Sequence, residues 1–383
     1  MRVYYEWGTT QLRKHGEELC GDSISISQHA ASVTVALSDG LGSGVKANIL
    51  ATLTTRIAMR LLENELSLGE VVQTLSRTLP VCQDRKMAYS TFAIAQFFSD
   101  GHARIVEFDS PPVVFLRRRK QYPIVYDERC VEGKNVRETV LSLAEGDWIV
   151  FVSDGVVNAG IGGAYPLGWG WQEAVRFLER NAHPELTASD LAEKASQAVR
   201  ELYADSPGDD VSVVVVKVRR KRVASVLTGP PADKRDDERC VSAFLKRGGR
   251  LAVCGGTTAK LVARHLGKPV EVDLGTATAD VPAMGRIEGL DMTTEGTLTL
   301  TQVRKLLRAG RGRDDVKFGT DGACCLLRML LDVDHVHFFV GQAVNPAHQN
   351  PDLPQQLEIR LAVVREIGNE LRERGKEVEI ELV

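Results

Sequence analysis

The sequence lacks a charge surplus of either sign: 48 Lys and Arg face 51 Asp and Glu, a formal net charge of −3. A nucleic-acid partner needs a basic excess to neutralise phosphates, so nucleic-acid binding is excluded as the main function. No uninterrupted apolar run approaches the roughly 20 residues that span a bilayer, so no membrane partner is expected. Cysteine is sparse and scattered, and its number, seven, is odd. That does not make a disulfide framework. The first residues, Met-Arg-Val-Tyr-Tyr-Glu-Trp, lack the apolar core of a secretion signal. A cytoplasmic chain with reduced thiols is the expectation. HExxH and paired CxxC motifs are absent, which leaves zinc without support. No internal repeat or low-complexity tract occurs. What is present is an ordinary globular composition, 43% hydrophobic and 26% charged, which excludes wholesale disorder. At 383 residues the chain exceeds what one core usually serves, so two domains are expected.

The composition breaks after the β-branched run Val213-Val214-Val215-Val216, where basic residues and then Gly229-Pro230-Pro231 and the charged stretch 233–238 follow. The expectation is a domain over 1–220, a linker over 221–239 and a second domain over 240–383. In the first domain, strand-like runs cover 32–37, 91–97, 103–108, 113–117 and 148–152. Ile49, Leu53, Ile57 and Leu61 recur at helical spacing, with Leu50 and Ala58 widening the stripe. Further helices are expected over 68–79, 171–179 and 189–203. Strands with helices in separate blocks indicate an α+β layered fold. The second half alternates strand and helix and reads as a small three-layer α/β domain with some parallel pairing.

Acidic residues at the edges of apolar strands carry the chemistry. Asp39 lies in Leu37-Ser38-Asp39-Gly40, and Asp154 in Phe151-Val152-Ser153-Asp154-Gly155. Asp22 follows Cys20-Gly21, and Asp209-Asp210 precedes Val211-Ser212-Val213. An apolar strand ending in Ser-Asp-Gly plants a carboxylate at the rim of a core, and glycine permits the sharp turn that follows. Carboxylates gathered at one rim repel and raise each other's pKa, which a hard divalent cation relieves. Oxygen-only ligands select magnesium, manganese or calcium. The alternative is that each Asp-Gly is a plain turn.

As an ordered set, Cys20-Gly21-Asp22-Ser23, Ser38-Asp39-Gly40-Leu41-Gly42, Asp109-Ser110-Pro111-Pro112, Gly146-Asp147, Ser153-Asp154-Gly155-Val156 and Asp209-Asp210-Val211-Ser212 resemble the metal-dependent protein phosphatases of the protein phosphatase 2C superfamily. The closer resemblance is to the bacterial stage II sporulation protein E branch, over roughly 1–218. It implies an αββα two-sheet sandwich and a centre of two divalent cations, Mn or Mg. It further implies hydrolysis of phosphoserine or phosphothreonine in a phosphorylated bacterial regulatory protein. By motif position, Asp39 resembles the ligand bridging both metals, with the Gly40 carbonyl on the second. Asp154 and Asp209 resemble ligands of the first metal, and Asp22 the acidic residue serving the second. Asp210 falls where relatives often carry Asn. The phosphate-clamping Arg and general-acid His of eukaryotic relatives have no counterpart here; Lys14 is the candidate for holding phosphate. The resemblance also implies that the helix over 45–63 acts as a switch on the metal ligands beside it.

In the second half, Cys254-Gly255-Gly256-Thr257-Thr258 lies between a strand and a helix. Gly255, Gly256, Thr257 and Thr258 form a candidate ligand loop, or Thr257 and Thr258 simply cap the helix. The polar loop 345–351 is a second candidate for a small-molecule effector site. Adjacent Cys324 and Cys325 do not share a helix face and read as packed thiols. A regulatory role for this half and a homodimer complete the partner expectations. Two alternative functions remain at the level of sequence: a catalytically weak, phosphatase-like binding module, and a small-molecule or nucleotide sensor whose main activity sits in the second half.

Overall fold

The computed structural model describes residues 3–29, 32–78, 90–163, 165–312, 314–343 and 356–383. It divides into two compact units, with the division between Arg220 and Lys221. The first unit runs β1 (Tyr4–Leu12), β2 (Asp22–Gln28), β3 (Ser32–Gly40), α1 (Gly44–Glu63), α2 (Leu68–Thr78), β4 (Ser90–Phe98), β5 (His102–Phe108) and β6 (Val114–Arg117). It continues through β7 (Lys120–Gln121), β8 (Asp127–Val131), β9 (Lys134–Ser142), β10 (Trp148–Val152), α3 (Asp154–Val157), α4 (Trp171–Asn181), α5 (Ala188–Leu202) and β11 (Val211–Arg219). Among the described residues these strands form two antiparallel sheets, ordered β1-β11-β10-β6-β7 and β2-β3-β4-β5-β9-β8.

Alternation of side chains explains the layering. Val33, Val35 and Leu37 of β3 point at the other sheet and meet Phe151, Val214 and Val216 in one buried cluster. Ala36 on the opposite face packs under Ala58, Val71 and Val72 of α1 and α2. On the second sheet, Val150, Val213 and Val215 face Ala174, Leu178, Leu191 and Ala195 of α4 and α5. The unit is therefore an αββα sandwich.

Of the apolar stripe expected to bury α1, Ala58, Ile57 and Leu61 pack on the core, but the N-terminal part does not. Ile49 and Leu53 are 58% and 45% exposed, whereas Ala47, Ala51, Thr54, Thr55 and Ala58 are buried. Small side chains let the helix axis come close to β2 and β3, and closeness, not hydrophobicity, selects the inward face here.

The second unit runs β12 (Val223–Thr228), α6 (Asp237–Lys246), β13 (Arg250–Cys254), α7 (Gly256–Leu266), β14 (Glu271–Asp273), β15 (Met284–Arg286) and β16 (Met292–Thr294). Then follow α8 (Thr297–Arg308), α9 (Gly322–Leu331), β17 (His335–Val340), α10 (Gln356–Glu373) and β18 (Glu377–Leu382). Among the described residues its sheet is ordered β14-β15-β16-β13-β12-β17-β18, parallel from β16 to β18. Helices α8, α9 and α10 bury Leu300, Leu327 and Val364 on one face, and α6 and α7 bury Phe244 and Val262 on the other. This is a three-layer α/β unit.

The stretch 221–239 is not a linker. It holds β12, which pairs with both β13 and β17 at the middle of the parallel sheet, and the start of α6. Six residues of strand between two charged clusters read as a composition break because the clusters outweigh them. The loop 345–351 lies outside the described residues. No helix among the described residues is long and apolar enough to cross a membrane.

Candidate metal centre

Antiparallel pairing of β2 and β3 sets Asp22 directly opposite Asp39. Asp154 opens α3 immediately after β10, and Asp209 stands just before β11, the antiparallel neighbour of β10. The two Ser-Asp-Gly segments thus belong to different sheets, and each brings its carboxylate to the same end of the sandwich.

The glycine after each of these aspartates has the same physical reason. A Cβ on Gly40 would lie 2.2 Å from the Ala47 carbonyl oxygen, and one on Gly155 would lie 2.1 Å from the Asp210 carbonyl oxygen. In both places a second backbone closes in behind the aspartate, which only glycine tolerates. At Gly40 that backbone is α1, so the helix and the Asp39–Gly40 segment are mechanically joined.

Hydrogen bonds then fix the frame. Ser153 donates its N–H to the Ser212 carbonyl (3.0 Å), and Ser212 returns its N–H to Ser153 Oγ (2.8 Å). Gln11 Nε2 spans from Ser212 Oγ (3.0 Å) to the Asp22 carbonyl (3.4 Å), tying β1 to both sheets. Asp210 is buried and takes the Lys14 backbone N–H on Oδ1 at 2.9 Å, which holds the β1–β2 loop over the site. Tyr203 donates to the Gly155 carbonyl at 2.9 Å. Nothing in the sequence marks Gln11 or Tyr203, and Ser153 and Ser212 stand in the motifs without a role of their own. The one local signal for Asp210 was its adjacency to Asp209.

The electrostatics follow from burial and like charge. Asp39 is pushed up to about 9, first by burial and then by the charges of Asp22 and Asp154, with which its carboxyl shares the site. Asp22 is pushed up to about 7, chiefly by burial, with Asp210 and Asp154 adding repulsion. The Ser212 and Ser153 hydroxyls pull Asp22 back in part, yet neither of its carboxylate oxygens has a well-formed hydrogen bond. Asp209 is raised by burial and by Asp154, and the nearby Lys14 cation opposes that shift. Burial, then Asp22, lifts the Cys20 thiol to about 12, so it stays a thiol.

Asp22, Asp39, Asp154 and Asp209 are therefore neighbours, joined by Asp210 and approached by Lys14. Among the described residues no three acidic, His or Cys side chains are arranged as they stand to enclose one ion. The charge of Asp154 instead adds to that of Asp22 in raising Asp39. The donor set nonetheless fits a hard divalent cation: it is oxygen-only and like-charged, it opens to solvent at Asp154, and it includes the orphaned buried oxygens of Asp22 and Asp210.

Residues 29–219 match the family model of stage II sporulation protein E (SpoIIE). Among solved structures, the phosphatase domain of the cell fate determinant SpoIIE from Bacillus subtilis is 18% identical. That match covers 57% of this chain and 94% of that one, with a TM-score of 0.45. The same protein's PP2C phosphatase domain with a fragment of its regulatory domain is 20% identical, covering 57% of this chain and 64% of that one (TM-score 0.48). The S. agalactiae serine/threonine phosphatase is 16% identical over 56% of this chain and 99% of that one (TM-score 0.42). No curated protein matches the chain.

Proposed function

Since residues 29–219 belong to the stage II sporulation protein E family, we propose that the first unit hydrolyses phosphoserine or phosphothreonine in a phosphorylated regulatory protein. The observation that carries this reading is the convergence of Asp22, Asp39, Asp154 and Asp209 from two sheets into one repelling cluster that runs from buried Asp22 to exposed Asp154. Asp39 and the Gly40 carbonyl, with Asp154, Asp209 and Asp22, would hold two divalent cations, manganese or magnesium. Such cations supply a water nucleophile at neutral pH and shield the charge on the transferred phosphoryl group. The chain's own contribution is placement. The serine pair Ser153 and Ser212 locks Asp154 against the strand that follows Asp209, and Gln11 holds Asp22 in register with them. Lys14, positioned by its backbone bond to Asp210, offers a cation to the phosphate.

Helix α1 is the natural lever on this site, because its backbone touches Gly40. A displacement of α1 would shift Asp39, which makes the helix a candidate switch. The second unit is assigned the regulatory role.

The deciding experiment measures manganese-dependent hydrolysis of a chromogenic aryl phosphate and of phosphoserine peptides. Turnover that vanishes in Asp39→Asn supports the enzyme. Absence of any metal-dependent turnover in the wild type would leave a phosphatase-like binding module instead.

A further inference from the structure

The far edge of the second sheet holds a buried histidine between two carboxylates. Strand β18 closes that sheet and, among the described residues, pairs with β17 alone. Alternation along β17 turns Val336, Phe338 and Val340 toward α8, α9 and α10, and Phe339 toward α6 and α7. His335 and His337 share the Phe339 face. In the parallel register Glu377, Glu379 and Glu381 of β18 lie beside His335, His337 and Phe339 on that face, while Val378 and Ile380 pack on the other.

His337 is 1% exposed, and its ring stacks on Phe339 with centroids 4.2 Å apart. Glu381 Oε2 lies 3.1 Å from its Nε2, and Glu379 Oε2 lies 3.6 Å from its Nδ1. Even so, neither ring nitrogen makes a well-formed hydrogen bond among the described residues. On the other side, the register partner of His337 on β12 is Ser225, whose buried hydroxyl also lacks a hydrogen bond. Glu379 is shared. Arg247, the residue that ends α6, holds it at 3.1 Å, and His335 Nε2 approaches it at 3.8 Å. Cys240 of α6, near Glu381, is kept a neutral thiol by burial.

A neutral ring cannot suit both carboxylates. It carries one N–H and one bare lone pair, so one of its two nitrogens always turns a lone pair toward an anion. The imidazolium carries two N–H groups and suits both. Burial opposes that charge and is the main reason why the His337 pKa is lowered; the Arg247 cation adds to it, Glu379 and Glu381 work against it, and His335 adds last. The ring is therefore neutral at pH 7 and takes its second proton in acid, below the ordinary histidine value of about 6.5.

We propose that His337 is a proton-operated joint of the second unit: on protonation it takes Glu379 and Glu381 on its two N–H groups, and Glu379 leaves Arg247. The edge strand thereby exchanges a partner on α6 for one on β17. The half-exposed side chains of Glu379 and Glu381 have the freedom to swing onto a ring that burial and stacking hold still. The joint uses no residue of the metal centre and does not depend on phosphatase activity.

The test is histidine-selective NMR of the full chain in EDTA from about pH 8 to pH 5, with the His337 signal assigned by its loss in His337→Gln. The wild-type ring should pass from one neutral tautomer to the doubly protonated form with a midpoint below about 6.5. Arg247→Met should raise that midpoint by about half a pH unit or more, since it removes both a cation and the competitor for Glu379. Glu379→Gln and Glu381→Gln should each lower it. Peptide-resolved hydrogen exchange, corrected for the intrinsic rate, should show the last turn of α6 opening more readily in acid than at neutral pH, and His337→Phe should abolish that difference. The idea is overturned if the wild-type ring stays neutral throughout, if its midpoint reaches the ordinary histidine value, or if Arg247→Met leaves the midpoint where it was. Equal exchange of the α6 turn in acid and at neutral pH would overturn it as well.

Discussion

The two units concentrate charge in opposite ways. In the first, antiparallel strands deliver several carboxylates to one end of a sandwich, where burial and mutual repulsion lift Asp22 and Asp39 to about 7 and about 9. In the second, parallel strands end in glycine, and among the described residues no carboxylate pairs with the Arg360 guanidinium that donates to the Gly341 carbonyl. The first arrangement is unfavourable until a cation or protons arrive; in the second, a backbone carbonyl already takes a guanidinium N–H. Antiparallel pairing brings strand starts and strand ends to the same edge, so aspartates distant in sequence can meet. Parallel pairing puts all carboxyl ends on one edge, so backbone turns and a helix side chain meet there.

The sharpest way to break this comparison is to neutralise one carboxylate. Asp39→Asn should lower metal-dependent phosphatase turnover by at least about a hundredfold, comparable to losing a preorganised electrostatic group elsewhere in catalysis. Its melting temperature in EDTA near pH 7 should barely move, because Asp39 is already protonated there. Intact turnover with a large drop in stability would contradict both halves of that expectation. Next in size is Gly40→Ala. Its Cβ would sit 2.2 Å from the Ala47 carbonyl oxygen, so either β3 or α1 must give way. Overpacking of this kind typically costs about 1–3 kcal/mol. Chemical denaturation should show that loss, and the manganese concentration needed for half-maximal turnover should rise.

Much of the first site was legible because its chemistry is written locally. An apolar run followed by Ser-Asp-Gly, seen twice, needs no knowledge of distant residues. The supports were not legible, because each acts across the fold: Gln11 meets Ser212, and Lys14 meets Asp210. Helix α1 follows its apolar stripe at Ala58, Ile57 and Leu61 but departs from it at its start, where Ala47 and Ala51 pack inward by being small and Ile49 and Leu53 stay out. Strand β2, Asp22–Gln28, alternates Ile with Ser and offers too little apolar signal to stand out. Strand β12 is hidden between basic and acidic clusters, and with it the strand order of the second sheet. The loop 255–258 was noticed, but Arg360 was not, since an arginine inside a long amphipathic helix looks solvated until the fold places it.

In the second unit, Thr258→Val keeps the side-chain shape and removes the acceptor for the buried Gly229 N–H. An unsatisfied buried donor costs about 1–3 kcal/mol. The loss should appear in denaturant unfolding of the full chain, while metal-dependent phosphatase turnover stays near wild type. Loss of turnover without loss of stability would show that the second unit governs the first unit's chemistry.

The smallest effect is a slope. Asp22 and Asp39 hold protons in the folded state at pH values where an ordinary carboxyl, near 3.9, has released them. Between about pH 4 and pH 9 the folded state therefore binds more protons than the unfolded one, and stability falls as pH rises through that window. The stabilisation is complete below the unfolded carboxyl range and gone once pH passes the folded values. In EDTA the melting temperature should decline gradually from pH 5 to pH 9. Saturating manganese should flatten that decline, because a cation takes over the role of the protons and adds roughly 2.7 kcal/mol at a hundredfold excess over its dissociation constant. Asp39→Asn should also flatten it in EDTA, by removing the group with the larger shift. A chelated wild type whose melting temperature rises over that range would mean that the carboxylates are paired and ionised in the fold, and the contrast between the two units would be lost.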